Sequence, residues 1–338
     1  MAGQMFATAR DLRGPFQIPW TLTMAQHAFE IPVGVLPKYY LNGAVVAADG
    51  AHRCRLKEGA ILYTGGRGEI RSVERDPSVG VRLCRKKPHD REYPLCAEAM
   101  LQWVAGETLC RLGIEGAVPR VIDLYQAAGE TRFTMEYEPG VSAAEWILLT
   151  PTPDIAWWQI VTQVAFLLAV LEEEIQFDHR DLKADNVWIV PRAVELKADL
   201  FGSTWTVAAP FQVVLLDFGF GCIGDSTGNA VVSLTDGLVP KIDPCPKEGR
   251  DLFQFLTSLW SVPELRARMS QEVRTEMEQL FKARGGTYLP IIERAGQVPW
   301  IYGALNPPGF RHPSLSCRSL LDKIAQKGLC LRAPRQSA

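Results

Sequence analysis

The order of local patterns along this chain predicts an α+β fold in two parts: a small antiparallel sheet carrying one helix, then a larger and mainly helical part. Strand-like runs crowd residues 59–137, broken by a single helical pattern at 92–112. From residue 138 onward the long patterns are mostly helical, and no internal repeat interrupts them. With 47% hydrophobic and 22% charged residues, the 338-residue chain can bury an ordinary core and shows no bias toward disorder.

Residues 1–58 mix Pro, Gly, aromatic and apolar residues without a sustained period, so they are set aside as an extension of unread role. From Gly59, GAILY reads as a strand that runs into the glycine-rich TGGRG, followed by EIRSVER, a turn at Asp76-Pro77 and a second strand, SVGVRLCR. The segment 92–112 is amphipathic and rich in helix formers, and Gly113 stands where a helix C-cap belongs. VPRVIDLY and TRFTMEY read as two further strands. A Pro-rich break at Thr150–Asp154 precedes IAWWQIVTQVAFLLAVLEEEI, a helix apolar on nearly every side and therefore a core helix. The apolar strand VVLLDFG comes later, and helical patterns continue to the end.

A formal charge of -2 gives no global basic field, which argues against nucleic acid as a partner. Eight cysteines are scattered without a CxxC pair or a metal-ligand rhythm, so they are expected to be reduced thiols in a cytosol-like compartment. The N-terminus lacks a charged start followed by an apolar core, and the apolar run from Ile160 to Leu171 is interrupted and short for a bilayer. The expectation is a cytoplasmic protein with no membrane partner.

Chemistry concentrates in His179-Arg180-Asp181-Leu182-Lys183-Ala184-Asp185-Asn186. A carboxylate, an ammonium and an amide oxygen so close together can orient a hydroxyl, meet a phosphate and bind a hard cation. Any one Asp or Asn alone would read as a turn residue; the octet does not. Downstream, Asp217-Phe218-Gly219 follows the apolar strand, placing a second carboxylate at the end of a rigid support.

The octet resembles the catalytic loop of the protein kinase superfamily, H-R-D-L-K-x-x-N, at every defined position, and Lys183 resembles its Ser/Thr type. The resemblance implies a two-lobed protein-kinase-like fold over 59–338, with lobes at about 59–137 and 138–338 and nucleotide held between them. It implies ATP and Mg2+ as cofactors. Asp181 would be the base, Lys183 would steady the γ-phosphate, and Asn186 and Asp217 would bind metal. Gly65, Gly68 and Ile70 resemble the end of the family's glycine loop, with Tyr63 where its first glycine belongs. Lys86 in LCRK is the counterpart of the lysine that meets the α and β phosphates, with Lys87 the alternative if the register slips. Its glutamate partner is Glu98 or Glu107, and Glu98 is preferred. Met135 would be the gatekeeper, and Glu136 to Glu138 the backbone edge for adenine. Asp251 stands where the family places an aspartate that braces the catalytic loop.

The chain also departs from the family. Asp217 stands thirty-one positions after Asn186, so about 191–212 must form an inserted hairpin or loop. The segment after Gly219 lacks an A-P-E-like end, which leaves no evident platform for a peptide. Ser226, Thr227, Ser233 and Thr235 are candidate phosphorylation sites, with Arg180 as the receiver. DFGFGC and GRDLFQFL resemble kinases of large DNA viruses, a likeness that covers roughly residues 60–262. The expected activity is Mg-ATP-dependent transfer to Ser/Thr hydroxyls of protein substrates. The alternatives are a small-molecule kinase of the aminoglycoside or choline type and an ATP-binding pseudokinase scaffold.

Overall fold

The computed structural model describes residues 38–41, 44–46, 55–65, 68–76, 78, 80–88, 95–127, 130–224, 228, 230–234, 243–283, 286–290, 292 and 310–334. The chain divides into two compact units, one drawn from Met1–Thr108, Val118–Pro139 and Asp217–Gly219, the other from Leu109–Ala117, Gly140–Leu216 and Phe220–Ala338.

The first unit carries β1 (Lys38–Leu41), β2 (Ala44–Val46), β3 (Arg55–Thr64), β4 (Gly68–Asp76), β5 (Leu83–Pro88), α1 (Leu95–Arg111), β6 (Val121–Ala127) and β7 (Glu130–Glu136). Seven strands form one sheet in the order β2-β1-β6-β7-β5-β4-β3. The sheet is antiparallel except that β1 runs parallel to β6. Thus β1 and β2, from the stretch read as an extension, add to this sheet. The expected strand SVGVRLCR begins only at Leu83, because Gly80 sits in the left-handed region at φ +77° and breaks the extended run. Helix α1 ends at Arg111, and Gly113, at φ +77°, donates its N–H to the Cys110 carbonyl.

The second unit opens with β8 (Val141–Ser142), α2 (Ala143–Leu149), α3 (Pro153–Ile175), β9 (Phe177–Asp178), β10 (Val187–Val190), β11 (Val194–Leu200), β12 (Ser203–Ala209) and β13 (Gln212–Leu215). It continues with β14 (Cys222–Gly224), β15 (Ala230–Ser233), α4 (Arg250–Trp260), α5 (Pro263–Arg268), α6 (Gln271–Leu280), the short pair β16 (Lys282–Ala283) and β17 (Gly286–Thr287), α7 (Cys317–Gln326) and β18 (Leu331–Pro334). Among the described residues its helices hold more of the chain than its strands, and beside them it holds four small sheets: β13-β10-β8, β11-β12-β18, β15-β14-β9 and β16-β17. The observed class is therefore α+β, with more strand in the second unit than the pattern of apolar residues suggested. Apart from the seven-residue β11 and β12, its strands have two to four residues, too few to leave a periodic signal.

Helix α3 is the core of this unit. Trp157, Ile160, Val161, Val164, Phe166, Leu167, Leu168 and Leu171 are all buried. At 23 residues and mean hydropathy 1.6 it is long and apolar enough to cross a membrane, contrary to the expectation from the run 160–171, yet 83% of its most apolar window is buried inside the protein. Helix α2, which the sequence patterns did not assign, ends just before the Pro-rich break; Ser142 caps it by accepting the Glu145 N–H at 3.2 Å. Residues after Val190 form a β11–β12 hairpin, and the C-terminal β18 pairs with β12.

One expectation about the cysteines is overturned. Cys222 on β14 is bonded to Cys245, 23 residues on, while Cys84, Cys317 and Cys330 stand outside any disulfide. Spacing in sequence carried no sign of this pair, because the chain's return to β14 places it. An oxidised pair is what oxidising compartments favour, so the cytosolic placement loses the support drawn from cysteine spacing.

At the end of α3, half-buried Glu172 lies 3.3 Å from the Cys317 Sγ on α7. Burial pushes its carboxyl up to about 8, opposed by the thiol's hydrogen bond and reinforced by the negative Asp178, Glu173 and Glu248. An acid whose folded pKa is raised stabilises the protein most below its unfolded value, and that stability drains as pH climbs from 4.5 toward about 8. Glu172→Gln is expected to gain on the order of 2 kcal/mol at pH 8 and nothing at pH 4, read from urea midpoints across that range. In the same assay, reducing the Cys222–Cys245 bond is expected to lose about 3 kcal/mol.

Candidate active site

In the first unit, alternation along β5 sends Cys84 and Lys86 to one face and Arg85 to the other. Arg85 is buried and meets Glu58 at 2.7 Å and Glu69 at 3.3 Å. Lys86 Nζ lies 2.5 Å from Glu98 Oε1 and 2.8 Å from Asp217 Oδ1. Glu98 stands in the first turn of α1, where a carboxylate also suits the helix dipole. Lys86 therefore meets Glu98, and Glu107 lies further along the same helix. Burial alone would lower the lysine's pKa, but Asp217 and Glu98 more than offset it and hold the ammonium above its ordinary value. The neighbouring Cys84 thiol is pushed up to about 12 by burial, so it is inert at neutral pH.

Asp217 adopts φ +61°, a left-handed conformation that a non-glycine residue holds at a cost of about 1–3 kcal/mol. Its side chain is 41% exposed. Across the sheet, Ile70 pairs with Lys86 in register. Gly65 N–H donates to the Gly68 carbonyl at 2.9 Å. Gly68 has a local reason to be glycine: a Cβ there would sit 2.3 Å from the Lys87 carbonyl oxygen. A Cβ on Gly65 would meet the Tyr63 ring at 2.8 Å.

Met135 is buried at the end of β7. The residue that ties it to α1 is one that sequence reading missed: Gln102 Nε2 donates to the Pro119 carbonyl at 2.7 Å and approaches Met135 Sδ at 3.3 Å. The Glu136 N–H donates to the Arg120 carbonyl and the Tyr137 N–H to the Arg82 carbonyl, so both are engaged within the unit. Glu136 also pairs with Arg120 at 2.8 Å, and Glu138 follows, half-buried.

In the second unit, the loop between β9 and β10 carries the remaining candidates. Asp181 is buried, and its Oδ2 accepts from Asn186 Nδ2 at 3.2 Å and Lys183 Nζ at 3.3 Å. Asn186 Nδ2 also donates to the Asp181 carbonyl at 2.7 Å. From below, Asp251 on α4 accepts the His179 N–H at 2.6 Å and the Arg180 N–H at 2.8 Å, the bracing contact its position suggested. Ser258 Oγ, two turns along α4, accepts the Ala184 N–H at 2.8 Å. His179 Nε2 lies 2.9 Å from the Leu216 carbonyl. Burial and the neighbouring Arg250 push Arg180 down to about 10, against the pull of Asp178, Asp243 and Asp251.

Among the described residues no group of three or more His, Cys, Asp or Glu gathers as a metal cage. The donor chemistry nevertheless fits magnesium, which keeps most of its waters and needs few protein oxygens. In the second unit the Asn186 amide has its Nδ2 committed to Asp181, and in the first unit Asp217 supplies a part-exposed carboxylate.

No protein-family model matches the chain. The chain is similar to a protein named "Probable kinase 098L" from Invertebrate iridescent virus 3, at 23% identity over 140 residues. The match covers 40% of this chain and spans about a quarter of that relative's length, 26%. It supports a kinase-like relationship of unspecified type.

Gly68→Ala is expected to destabilise the first unit by about 2 kcal/mol or more through the clash with the Lys87 carbonyl, measured by chemical denaturation. An unchanged midpoint would show that the strands give way freely there.

Proposed function

We propose that this protein transfers the γ-phosphoryl group of Mg-ATP to Ser or Thr hydroxyls of protein substrates. The observation that supports the reading best is the loop 179–186, where Lys183 and Asn186 converge on one oxygen of Asp181 and α4 pins the backbone beneath. A carboxylate so held orients an acceptor hydroxyl and takes its proton as that oxygen attacks the γ-phosphorus and ADP departs. Lys183 steadies the phosphoryl group in transit. Lys86, fixed by Glu98, meets the α and β phosphates. Gly65, Gly68 and Ile70 border the nucleotide, and Met135, Glu136 and Glu138 the adenine. Asn186 and Asp217 would hold magnesium, which when bound supplies charge neutralisation on the phosphates.

A second reading, a small-molecule kinase, has one observation in its favour: the segment after Gly219 has no A-P-E-like end to seat a peptide. Transfer of labelled γ-phosphate to a generic basic protein, set against aminoglycosides and choline, separates the two. The expected outcome is incorporation into protein that falls about 100-fold or more in Asp181→Asn. Labelling of the alcohols alone would move the assignment to the second reading. ATP binding without transfer to any acceptor would sink both.

A further inference from the structure

Arg180 stands between His179 and the candidate base, at φ +63°, with its side chain only 1% exposed. A guanidinium buried to that degree needs an anion beside it. The anion is Asp243, whose Oδ2 lies 3.1 Å from Arg180 Nη2. The same carboxylate meets Arg250 Nη1 at 2.5 Å and Lys247 Nζ at 2.6 Å. Arg250 reaches on to Asp178, at the foot of the loop. Buried Arg180, Lys247 and Arg250 thus face the buried carboxylates of Asp178 and Asp243. A phosphoryl group would bring about 1.5 to 2 further negative charges beside Asp178 and Asp243, and would have to displace Asp243 to reach Arg180.

We propose that Asp243 is the positioning residue for Arg180, that it fixes the catalytic loop from within the fold, and that transfer therefore proceeds without phosphorylation of residues 220–248. The inference rests on the kinase reading. It replaces the expectation that Arg180 waits for a phosphate on Ser226, Thr227, Ser233 or Thr235. Of those four, Ser226, Thr227 and Thr235 lie outside the described residues.

The test uses the full chain, treated with a broad phosphatase, freed of it, and checked by mass spectrometry to be unmodified across 220–248. Labelled γ-phosphate transfer to a basic protein is then followed from the first seconds. The expected result is a full initial rate with no lag. A lag abolished by preincubation with Mg-ATP, together with phosphate newly found in 220–248, overturns the inference and leaves the kinase reading intact. Absence of transfer from the untreated chain overturns the kinase reading, and the inference with it. Asp243→Asn is expected to lower kcat about tenfold or more while the KM for ATP stays within about twofold, with Asp243→Glu recovering most of the rate. An unchanged kcat in Asp243→Asn removes the positioning role. If that variant does not fold, the phosphatase arm decides alone.

Discussion

The second unit's reactive loop depends on one carboxylate, that of Asp251. It takes the consecutive N–H groups of His179 and Arg180 at 2.6 and 2.8 Å, two buried donors that would each cost about 1–3 kcal/mol if left unmet. With them satisfied, Arg180 can hold φ +63°, and the chain reverses so that Asp181, Lys183 and Asn186 converge. The position of Asp251 depends in turn on how α4 begins. Gly249, at φ +74°, lets the chain enter the helix where a Cβ would strike the His312 carbonyl at 2.4 Å. Burial and the neighbouring Asp178 carboxylate push Asp251 well above its usual range, and the His179 N–H bond and the Arg250 charge pull the other way.

The first unit solves a similar problem with a cation. Lys86 would be costly to bury alone, and Glu98 and Asp217 keep it charged. Arg85, one residue earlier and on the opposite face, is buried against Glu58 and Glu69 by the same logic. Strand β5 therefore carries neighbouring charges to two faces of one sheet, each with its own carboxylates, and a one-residue slip would exchange them. Register is specified here by electrostatics as much as by apolar alternation.

The sequence made contiguous chemistry legible and left assembled chemistry hidden. The octet at 179–186 declares itself because its members are neighbours, and Asp251 was readable because a helix carboxylate stood at a familiar spacing. Glu98 against Glu107 could not be separated by spacing alone, since both lie on α1 and only the register of β5 decides which one Lys86 reaches. Asp243, Lys247 and Gln102 were missed because each acts through tertiary contact: no local pattern distinguishes them from solvated residues. The disulfide between Cys222 and Cys245 was invisible for the same reason. Gly68 carried a motif reading, yet the structure supplies a packing reason for it that would hold in the absence of any nucleotide.

The buried charges around Arg180 are a poor way to gain stability. Desolvating each ion costs several kcal/mol, and well-packed apolar side chains of similar volume would often do as well or better. Their value is directional. An apolar core lets a loop slide by fractions of an ångström at little cost, whereas the Arg250 guanidinium has few ways to hydrogen-bond Asp178 and Asp243 at once, and the charge of Asp243 holds Arg180 beside it. Because Arg180 and Asp178 flank His179 in the chain, fixing both fixes the approach to Asp181. The cluster thus spends stability on geometry at the residue where phosphoryl transfer would tolerate least displacement, and it does so with groups the chain already carries.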